Sequence, residues 1–510
     1  MGKDILFTIA QDNSYNTVDW TTRLEGLRRK GLGRYYDEAF LDGFFDRVSQ
    51  KGNNPLSFNW YPHNVPGVWM AQNIDRPGTV ITEPITAETA EQELATGRYG
   101  YLVIATYLSG YSTFKEIVSM ARARYPDLKI IAASVGALLP ELSQLADYVV
   151  KGSQVHDLRD IIGQPRNDPL KVVTVQSDTE TTVDGITKRA SYALLLSSLG
   201  CMYGCDFCPS TAQFGKEYTA PFSGQEIKEA IIDARNKIAP ETEVFTVSVA
   251  EPQGLGNIRL WREVFKLCRD LPFECELVST TSSAVLNKYS VEELTAGSLR
   301  LSTVNIGVES LIRGYDKNKG VDIKTLIAKL QEGGINVVAT AILGLDWHTK
   351  ENIGEEIRLL RELEASGYIV ANLKMQPGTP LYYRYKREGR LLDVPPELLS
   401  FYGYQAFVHP QFAPGFNDML PLLYDAGREL SEGKNPFAGN LEIFLNRRNP
   451  ADAAKRQTIL RMTNEIRNLL DPRQYPDGTP PAVEKFAAEL YFHLAFRQID
   501  LFHPFILSTH

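Results

Sequence analysis

No stretch of this chain approaches the roughly 20 consecutive apolar residues of a membrane-spanning helix. Its start, Met1-Gly2-Lys3-Asp4, lacks the apolar centre of a secretory signal. The Met-Gly opening is followed at position 6 by Leu6 rather than Ser or Thr, so the acylation signal that begins this way is incomplete. Cysteine is scarce. Five in 510 residues build no disulfide framework, which points to a reducing cytoplasm and a metal or redox role. Positive charge is not in excess either, and a net charge of −8 speaks against a general nucleic-acid surface. Also missing is a strand-terminal Gly-x-Gly-x-x-Gly, the fingerprint of a dinucleotide site. What remains is a globular composition, 43% apolar and 23% charged, on a chain too long for one core, so two or three domains are expected.

Three of the cysteines fall in one short stretch, Cys201-Met202-Tyr203-Gly204-Cys205-Asp206-Phe207-Cys208, spaced CxxxCxxC. The apolar run Tyr192-Ala193-Leu194-Leu195-Leu196 before it reads as a buried strand, with the thiols beyond its C-terminal end. Soft thiolates on one loop suit an iron–sulfur cluster or a zinc ion. Three ligands, where a closed structural site uses four, leave a position for an outside ligand, as in a catalytic centre. Cys268, on an amphipathic helix, and Cys275, near a strand start, read as buried small apolar residues.

Before the cysteines, strand and helix patterns alternate. Strands are expected over Ile5–Ala10, Thr79–Thr82, Tyr101–Thr106, Leu128–Ser134 and near Val149, with helices over Ala87–Leu94 (capped by Thr86), Phe114–Ala123 and through Leu142 and Leu145. Short connections between such elements predict a doubly wound parallel sheet, whose ligands bind beyond the C-terminal strand ends. Here those ends are Ala10–Asn13, Tyr107-Leu108-Ser109-Gly110 and Ser134-Val135-Gly136, mostly small or polar residues that suit a large cofactor or an ordinary turn. His156 reads as a surface or core histidine at a helix start.

After a hairpin-like stretch with Asp184-Gly185 as its turn signal, a second alternation begins with strand 192–197. Further strands are expected over Val244–Val249, Glu276–Ser279, Thr303–Ser310, Val337–Gly344 and Ile369–Met375, separated by helices. Six such units predict a partial or full α/β barrel with its chemistry at the C-terminal strand ends. The Cys loop, Glu251, Ser282-Ser283, Glu309, Leu343-Gly344 and Gln376 all fall at or near those ends. Glu251, between an apolar strand and Pro252, reads as a site carboxylate, with a helix-terminus role as the alternative. Glu309 on its apolar strand needs a partner, either a ligand or a Lys such as Lys317 or Lys319. His348 reads equally as a site or a surface residue, and His409 as structural.

The CxxxCxxC spacing with Phe207 before the third Cys resembles the cluster loop of the radical S-adenosylmethionine (SAM) enzymes. Ala250-Glu251-Pro252 resembles that family's second-strand motif with the glutamate kept and the glycines absent. Gly307-Val308-Glu309-Ser310 and Ile342-Leu343-Gly344-Leu345 are similar to its fourth- and fifth-strand motifs. Pro377-Gly378-Thr379-Pro380, with Glu388-Gly389-Arg390 downstream, resembles the closing segment of the subfamily that carries an N-terminal cobalamin domain. The region Tyr101–Gly152 also looks like that domain, with Ala133-Ser134-Val135-Gly136 where many members have two glycines.

The resemblance implies a [4Fe–4S] cluster on Cys201, Cys205 and Cys208, with SAM on the fourth iron and Phe207, Glu251, Ser283, Glu309 and Leu343 around it. It implies cobalamin on Leu108, Ser109, Ser134 and Gly136; with no DxHxxG motif in the chain, no His would reach the lower face of cobalt. The implied architecture is a Rossmann-like domain (1–165), a partial (β/α)6 barrel (185–395) and a helical C-terminal domain (396–510). The implied activity is radical cleavage of SAM and methylation of an unactivated sp3 carbon. Cyclisation, C–C bond formation or rearrangement is the alternative, and a non-catalytic metal-binding protein the remote one. The expected partners are a small-molecule or lipid substrate and an electron donor such as flavodoxin or ferredoxin. Helices are expected over Asp418–Leu430, Pro450–Leu470 and Pro481–Leu501. The apolar end from Leu490 to Phe505 either packs on the domain or meets a lipid or membrane edge.

Overall fold

In a computed structural model, residues 3–12, 20–49, 56–60, 64–183, 186–240 and 244–431 are described. Six strands lie in the first part of the chain: β1 Asp4–Ala10, β2 Leu56–Trp60, β3 Gly78–Val80, β4 Tyr99–Thr106, β5 Lys129–Ala133 and β6 Tyr148–Val149. Five of them form a parallel sheet in the order β3-β1-β4-β5-β6. Alternate side chains of its central strands are buried in two different cores. Leu6, Leu102, Ile104 and Ile130 enter one, while Ile5, Phe7, Val103 and Ile131 enter the other. Burial on both faces is why these strands read as continuous apolar runs.

The second sheet contains β7 Val173–Val183, β8 Ile186–Leu196, β11 Val244–Val249, β12 Glu274–Thr281, β13 Leu299–Glu309, β14 Asn336–Leu343 and β15 Gly367–Asn372, with β2 added at one edge. Its order is β2-β7-β8-β11-β12-β13-β14-β15, and the six strands from β8 to β15 are parallel. β7 pairs antiparallel with β8, and β2 antiparallel with β7. The expected hairpin is therefore an extension of the sheet, though its turn at 184–185 lies outside the described residues. Two short strands, β9 Leu199–Gly200 and β10 Tyr218–Thr219, form a separate ribbon below the Cys loop.

The helices form where their caps and apolar stripes dictate. Gly224–Ile238 begins with a reciprocal Ser223/Glu226 capping box and buries Ile227, Ile231 and Ala234. Each fully buried Ile contributes about 1.5–3 kcal/mol. Two helices were not expected: Pro209–Phe214, directly after the third cysteine, and Pro380–Arg387 after β15. The last described helix, Met419–Ser431, lies where Asp418–Leu430 was expected. The expected helices at 450–470 and 481–501, and the apolar end, lie outside the described residues. Among the described residues no helix is long and apolar enough to cross a membrane.

One core joins the two sheets, with Ile5, Phe7 and Trp69 in the same cluster as Tyr192 and Phe245. The Trp69 ring meets the edge of Phe222, and its Nε1 donates to the Ser153 carbonyl at 2.9 Å. The connector between the sheets is held by Arg159, which is buried. Its guanidinium donates to the carbonyls of Asn73 (2.8 and 3.0 Å), Arg166 (3.2 Å), Asp168 (2.5 Å) and Pro169 (3.2 Å). A buried cation satisfied entirely by carbonyl dipoles locks these segments together.

Candidate functional site

The cysteine loop leaves the sheet after β8 and is closed at its base by the β9–β10 ribbon, where Cys201 N donates to the Glu217 carbonyl at 3.0 Å. Gly204 takes a φ of +66° with Lys216 lying across it, and a Cβ there would stand 2.5 Å from the Lys216 chain, so the loop needs glycine. The loop is fixed at two further points. The Tyr203 hydroxyl shares a hydrogen bond with Ser282 Oγ (2.9 Å), and the Asp206 carbonyl accepts from Leu381 N (2.9 Å). Cys201 is buried, and Cys205 and Cys208 are half-buried. Burial pushes the Cys205 thiol up to about 12 and raises that of Cys201, while the nearby Lys317 ammonium acts in the opposite direction on both.

The donor set fits a metal cluster. Thiols held this far from ionisation become ligands when a positive centre replaces their protons. No three His, Cys, Asp or Glu side chains among the described residues converge closely enough for one ion. Cys208 nonetheless acts on the ionisation of Cys201 and Cys205, and Cys201 on that of Cys205. A single tetrahedral ion, with metal–sulfur bonds of about 2.3 Å, draws its sulfurs tightly together. A cluster that takes each thiolate on a different iron holds its sulfurs further apart than a single ion does.

Around the loop, the ends of β11, β12 and β13 converge. Glu251, directly after β11, is buried. Its Oε1 accepts from the backbone N–H groups of Ser197 and Ser198 (2.6 Å for Ser198), while Oε2 has no hydrogen-bond partner. Burial lifts this carboxyl to about 7, only partly offset by the two N–H donors. A buried carboxylate oxygen without a partner is the atom expected of a site awaiting a cation. Gln253 Oε1 accepts from Thr281 Oγ1 (3.2 Å) and Ser282 N (3.3 Å). Ser283 is buried at the start of a short helix, and its hydroxyl is engaged with Asn318 Oδ1 at 2.7 Å.

Glu309 ends β13 with a φ of +64°, a backbone state uncommon outside glycine. The register shifts between Gly307 and Glu309, a bulge that turns the carboxylate toward the turn Asp316–Asn318. There it forms an ion pair with Lys317, the first of its two expected lysine partners. Burial acts to lower the Lys317 pKa, but Glu309 and the thiols of Cys205 and Cys208 outweigh it and hold the ammonium charged. Asn318 fastens the same turn to the Gly307 (2.9 Å) and Val308 (3.2 Å) carbonyls. The ring of Phe207, inside the Cys loop, stands edge-on to Tyr315 with centroids 5.4 Å apart.

Leu343 and His348 are both fully buried. The Leu343 side chain lies in the apolar core, and its carbonyl is taken by Leu373 N at 2.9 Å. The next residue, Gly344, is buried beside Met419 and the fully buried Gln405 amide, both of whose polar atoms lack a hydrogen-bond partner. Gln405 was missed because nothing in its local sequence marks it. His348 is not at the surface. It is fully buried and bonded to Glu356 (3.3 Å), whose carboxylate also accepts from Ser310 Oγ (2.6 Å) and from Leu311 N (2.6 Å). His409 is structural, as expected, with Nε2 on the Leu345 carbonyl at 3.0 Å.

The first sheet brings its own strand ends to the same place. Leu108 and Ser109 are buried in the turn after β4, and the Ser109 carbonyl accepts from Lys30 Nζ at 2.6 Å. Ser134, after β5, holds a φ of +71°, and Gly136 packs so closely on Thr106 that a Cβ would lie 2.7 Å from its carbonyl oxygen. Across the seam lies Gly378 (φ +83°), where a Cβ would stand 2.9 Å from Leu138 of the first sheet's loop and 3.1 Å from Ala212 of the helix after the Cys loop. The loop after β5, the helix after the third cysteine and the segment after β15 therefore meet at one glycine. The turn Leu108–Gly110 is also in contact with the helix Pro396–Leu399, where Glu397 Oε1 accepts from Ser112 N (3.2 Å) and Oγ (2.5 Å). The small and polar strand ends fit a large cofactor held opposite the cluster loop.

No family model matches the chain. The hopanoid C-2 methylase of Rhodopseudomonas palustris (strain TIE-1) is 26% identical over 206 residues. That match covers 38% of this chain and 38% of the methylase, so the chain spans well under half the length of this curated relative. Among solved structures, the radical S-adenosylmethionine methyltransferase TsrM from Kitasatospora setae, with cobalamin and a [4Fe-4S] cluster bound, superposes with a TM-score of 0.53 at 12% identity, covering 91% of this chain and 99% of TsrM. TsrM with tryptophan substrate and the SAM analogue aza-SAM gives a TM-score of 0.50 at 13% identity, over 88% of this chain and 90% of that one. At such identities the likeness is one of fold, and it spans both sheets.

Proposed function

We propose that this chain is a cobalamin-dependent radical SAM methyltransferase acting on an unactivated sp3 carbon. The observation that carries the reading is the seam at Gly378, where the strand ends of the first sheet face the three-thiol loop of the second. A fold shared with TsrM and the partial sequence match to a methylase support it. Cys201, Cys205 and Cys208 would hold a [4Fe–4S] cluster. Phe207, Glu251, Ser283, Glu309 and the backbone at Leu343 would surround SAM, and Leu108, Ser109, Ser134 and Gly136 would carry cobalamin. The chain would divide into a cobalamin domain (1–165), a catalytic barrel (185–395) and a C-terminal helical domain (396–510). Together the bound groups supply one-electron chemistry at a sulfonium and a methyl group that can be passed to carbon.

The chain's own residues orient and balance charge. Glu251, with a carboxyl near 7 and an unpartnered Oε2, would be the carboxylate that meets the SAM ammonium, whose positive charge would favour its ionised form. The Lys317–Glu309 pair keeps a cation beside the thiols while adding no net charge to the mouth. Tyr203–Ser282 and Asp206–Leu381 fix the loop against the barrel, and the apolar core on both sides of the seam limits water. The substrate is a small molecule or a lipid. Metal analysis of anaerobically purified protein tests the reading: cobalt equal to protein together with cluster iron is expected, and iron without cobalt overturns the cobalamin assignment. With SAM labelled in its methyl group, a product of unchanged methyl count would favour cyclisation, C–C bond formation or rearrangement instead.

A further inference from the structure

The two faces of the second sheet are not alike. On β11 to β14, Val249, Leu277, Val304, Ile306, Ala339 and Leu343 point into the apolar core and are wholly buried. Alternate residues point the other way. The register sets these in rows: Val278 with Thr303, Thr280 with Asn305 and Val338, and Gly307 with Thr340 and Ile369. Thr280, Thr303, Gly307 and Thr340 keep accessible surface although strands lie on both sides of each. Val278, Val338 and Ile369 belong to neither of the two apolar cores. The outer face is packed, while this inner face borders a gap that water can enter.

The gap reaches the thiol site. A Cβ on Gly307 would collide with Lys317 Nζ and Glu309 Oε1, so that ion pair lies directly over the row of Gly307 and Thr340. The same ammonium is held charged by Cys205 and Cys208 as well as by Glu309. Asn305 stands two residues deeper on the same strand, a rise of about 7 Å. It is 4% exposed, and its Oδ1 has no hydrogen-bond partner. A buried amide oxygen left without a donor is costly and marks a partner that comes from outside the chain. Resting on the radical SAM reading above, we propose that this gap holds the substrate, and that the part it holds carries an uncharged hydrogen-bond donor, an O–H or N–H, which Asn305 Oδ1 accepts. The hydroxyls of Thr280, Thr303 and Thr340 belong to the same face and can serve further polar atoms. Val338 and Ile369 meet an apolar part beside them. The substrate class is therefore a small polar molecule. A bare hydrocarbon skeleton is selected against, because it would leave the Asn305 oxygen unpaired.

The test uses the full chain with its cluster assembled and two probes of nearly one shape: phenol, which has an O–H donor, and toluene, which has none. Saturation-transfer NMR titrations give the affinity of each. Phenol should bind the wild type more tightly than toluene, and the ratio of the two affinities should fall at least about tenfold in Asn305→Leu. Toluene bound as tightly as phenol, or no bound phenol at all, overturns the proposal. So does an unchanged ratio in Asn305→Leu, since phenol would then lie elsewhere. Should Asn305→Leu fail to fold, the smaller Asn305→Ala carries the same comparison. Neither probe needs SAM or cobalt to bind. A chain that prefers phenol but assembles no cluster fails at the radical SAM reading, whereas one that holds cluster and cobalt but prefers toluene fails here.

Discussion

Glu251 makes the sharpest prediction, because one carboxyl sets both a stability profile and an affinity. In the folded chain its anion is disfavoured, with the carboxyl held at about 7 against an ordinary 4.5. That difference corresponds to about 3 kcal/mol. Below about pH 4.5 the group is protonated whether the chain is folded or not, and contributes no pH dependence. Between 4.5 and 7 unfolding ionises it, so stability falls as pH rises, by about 1.4 kcal/mol for each pH step. Above 7 it is ionised in both states and the loss has levelled off. Denaturant titration of the cluster-free chain across pH 5 to 8 should show this fall, and Glu251→Gln should remove it. At pH 8 the Gln variant should be the more stable protein, since the unpaired buried charge is gone. The same substitution should weaken SAM binding to the cluster-loaded chain by about ten- to a hundredfold, the value of a charge-assisted hydrogen bond. Parallel stability profiles for the two proteins would refute the reasoning, because the carboxyl would then not be ionising out of a dry site.

Two further outcomes follow from the packing. Lys317→Met leaves the Glu309 carboxylate buried and alone, and should destabilise the chain by about 3–5 kcal/mol; adding Glu309→Gln should recover much of that, as a double-mutant denaturation cycle would measure. Gly378→Val puts branched carbon into a gap bounded by Leu138 and Ala212 at a φ of +83°, so the two sheets should separate at the seam, seen as faster proteolysis of the connector 163–172 and loss of bound cobalamin with cluster iron retained.

The thiol loop and the positions of the parallel strands along the chain were legible because each rests on a local signal: a spacing of cysteines, and apolar runs between amphipathic helices. What the runs concealed was direction. In Val337-Val338-Ala339-Thr340-Ala341-Ile342-Leu343 both faces are buried or half-buried, so alternation does not say which residues face the mouth, and Leu343 turned toward the core. His348 was unreadable for a related reason, since its partner Glu356 lies on the next helix and becomes a neighbour only after the chain turns. The helix Pro209–Phe214 is only six residues long, too short for periodicity to announce it.

The seam shows most clearly where sequence reading stops. Gly378 was legible as part of a family-like segment, but its role depends on Leu138 and Ala212, which lie 240 and 166 positions earlier in the chain. A site built on one sheet can be inferred from where its strands end. A site shared by two sheets depends on how they are joined, and here the joint is made by Arg159 reading four carbonyls and by Trp69 against Phe222. Neither contact touches the mouth. Both fix the distance across which two cofactors would meet, so the geometry that matters most to the proposed chemistry is set by residues that no functional motif contains.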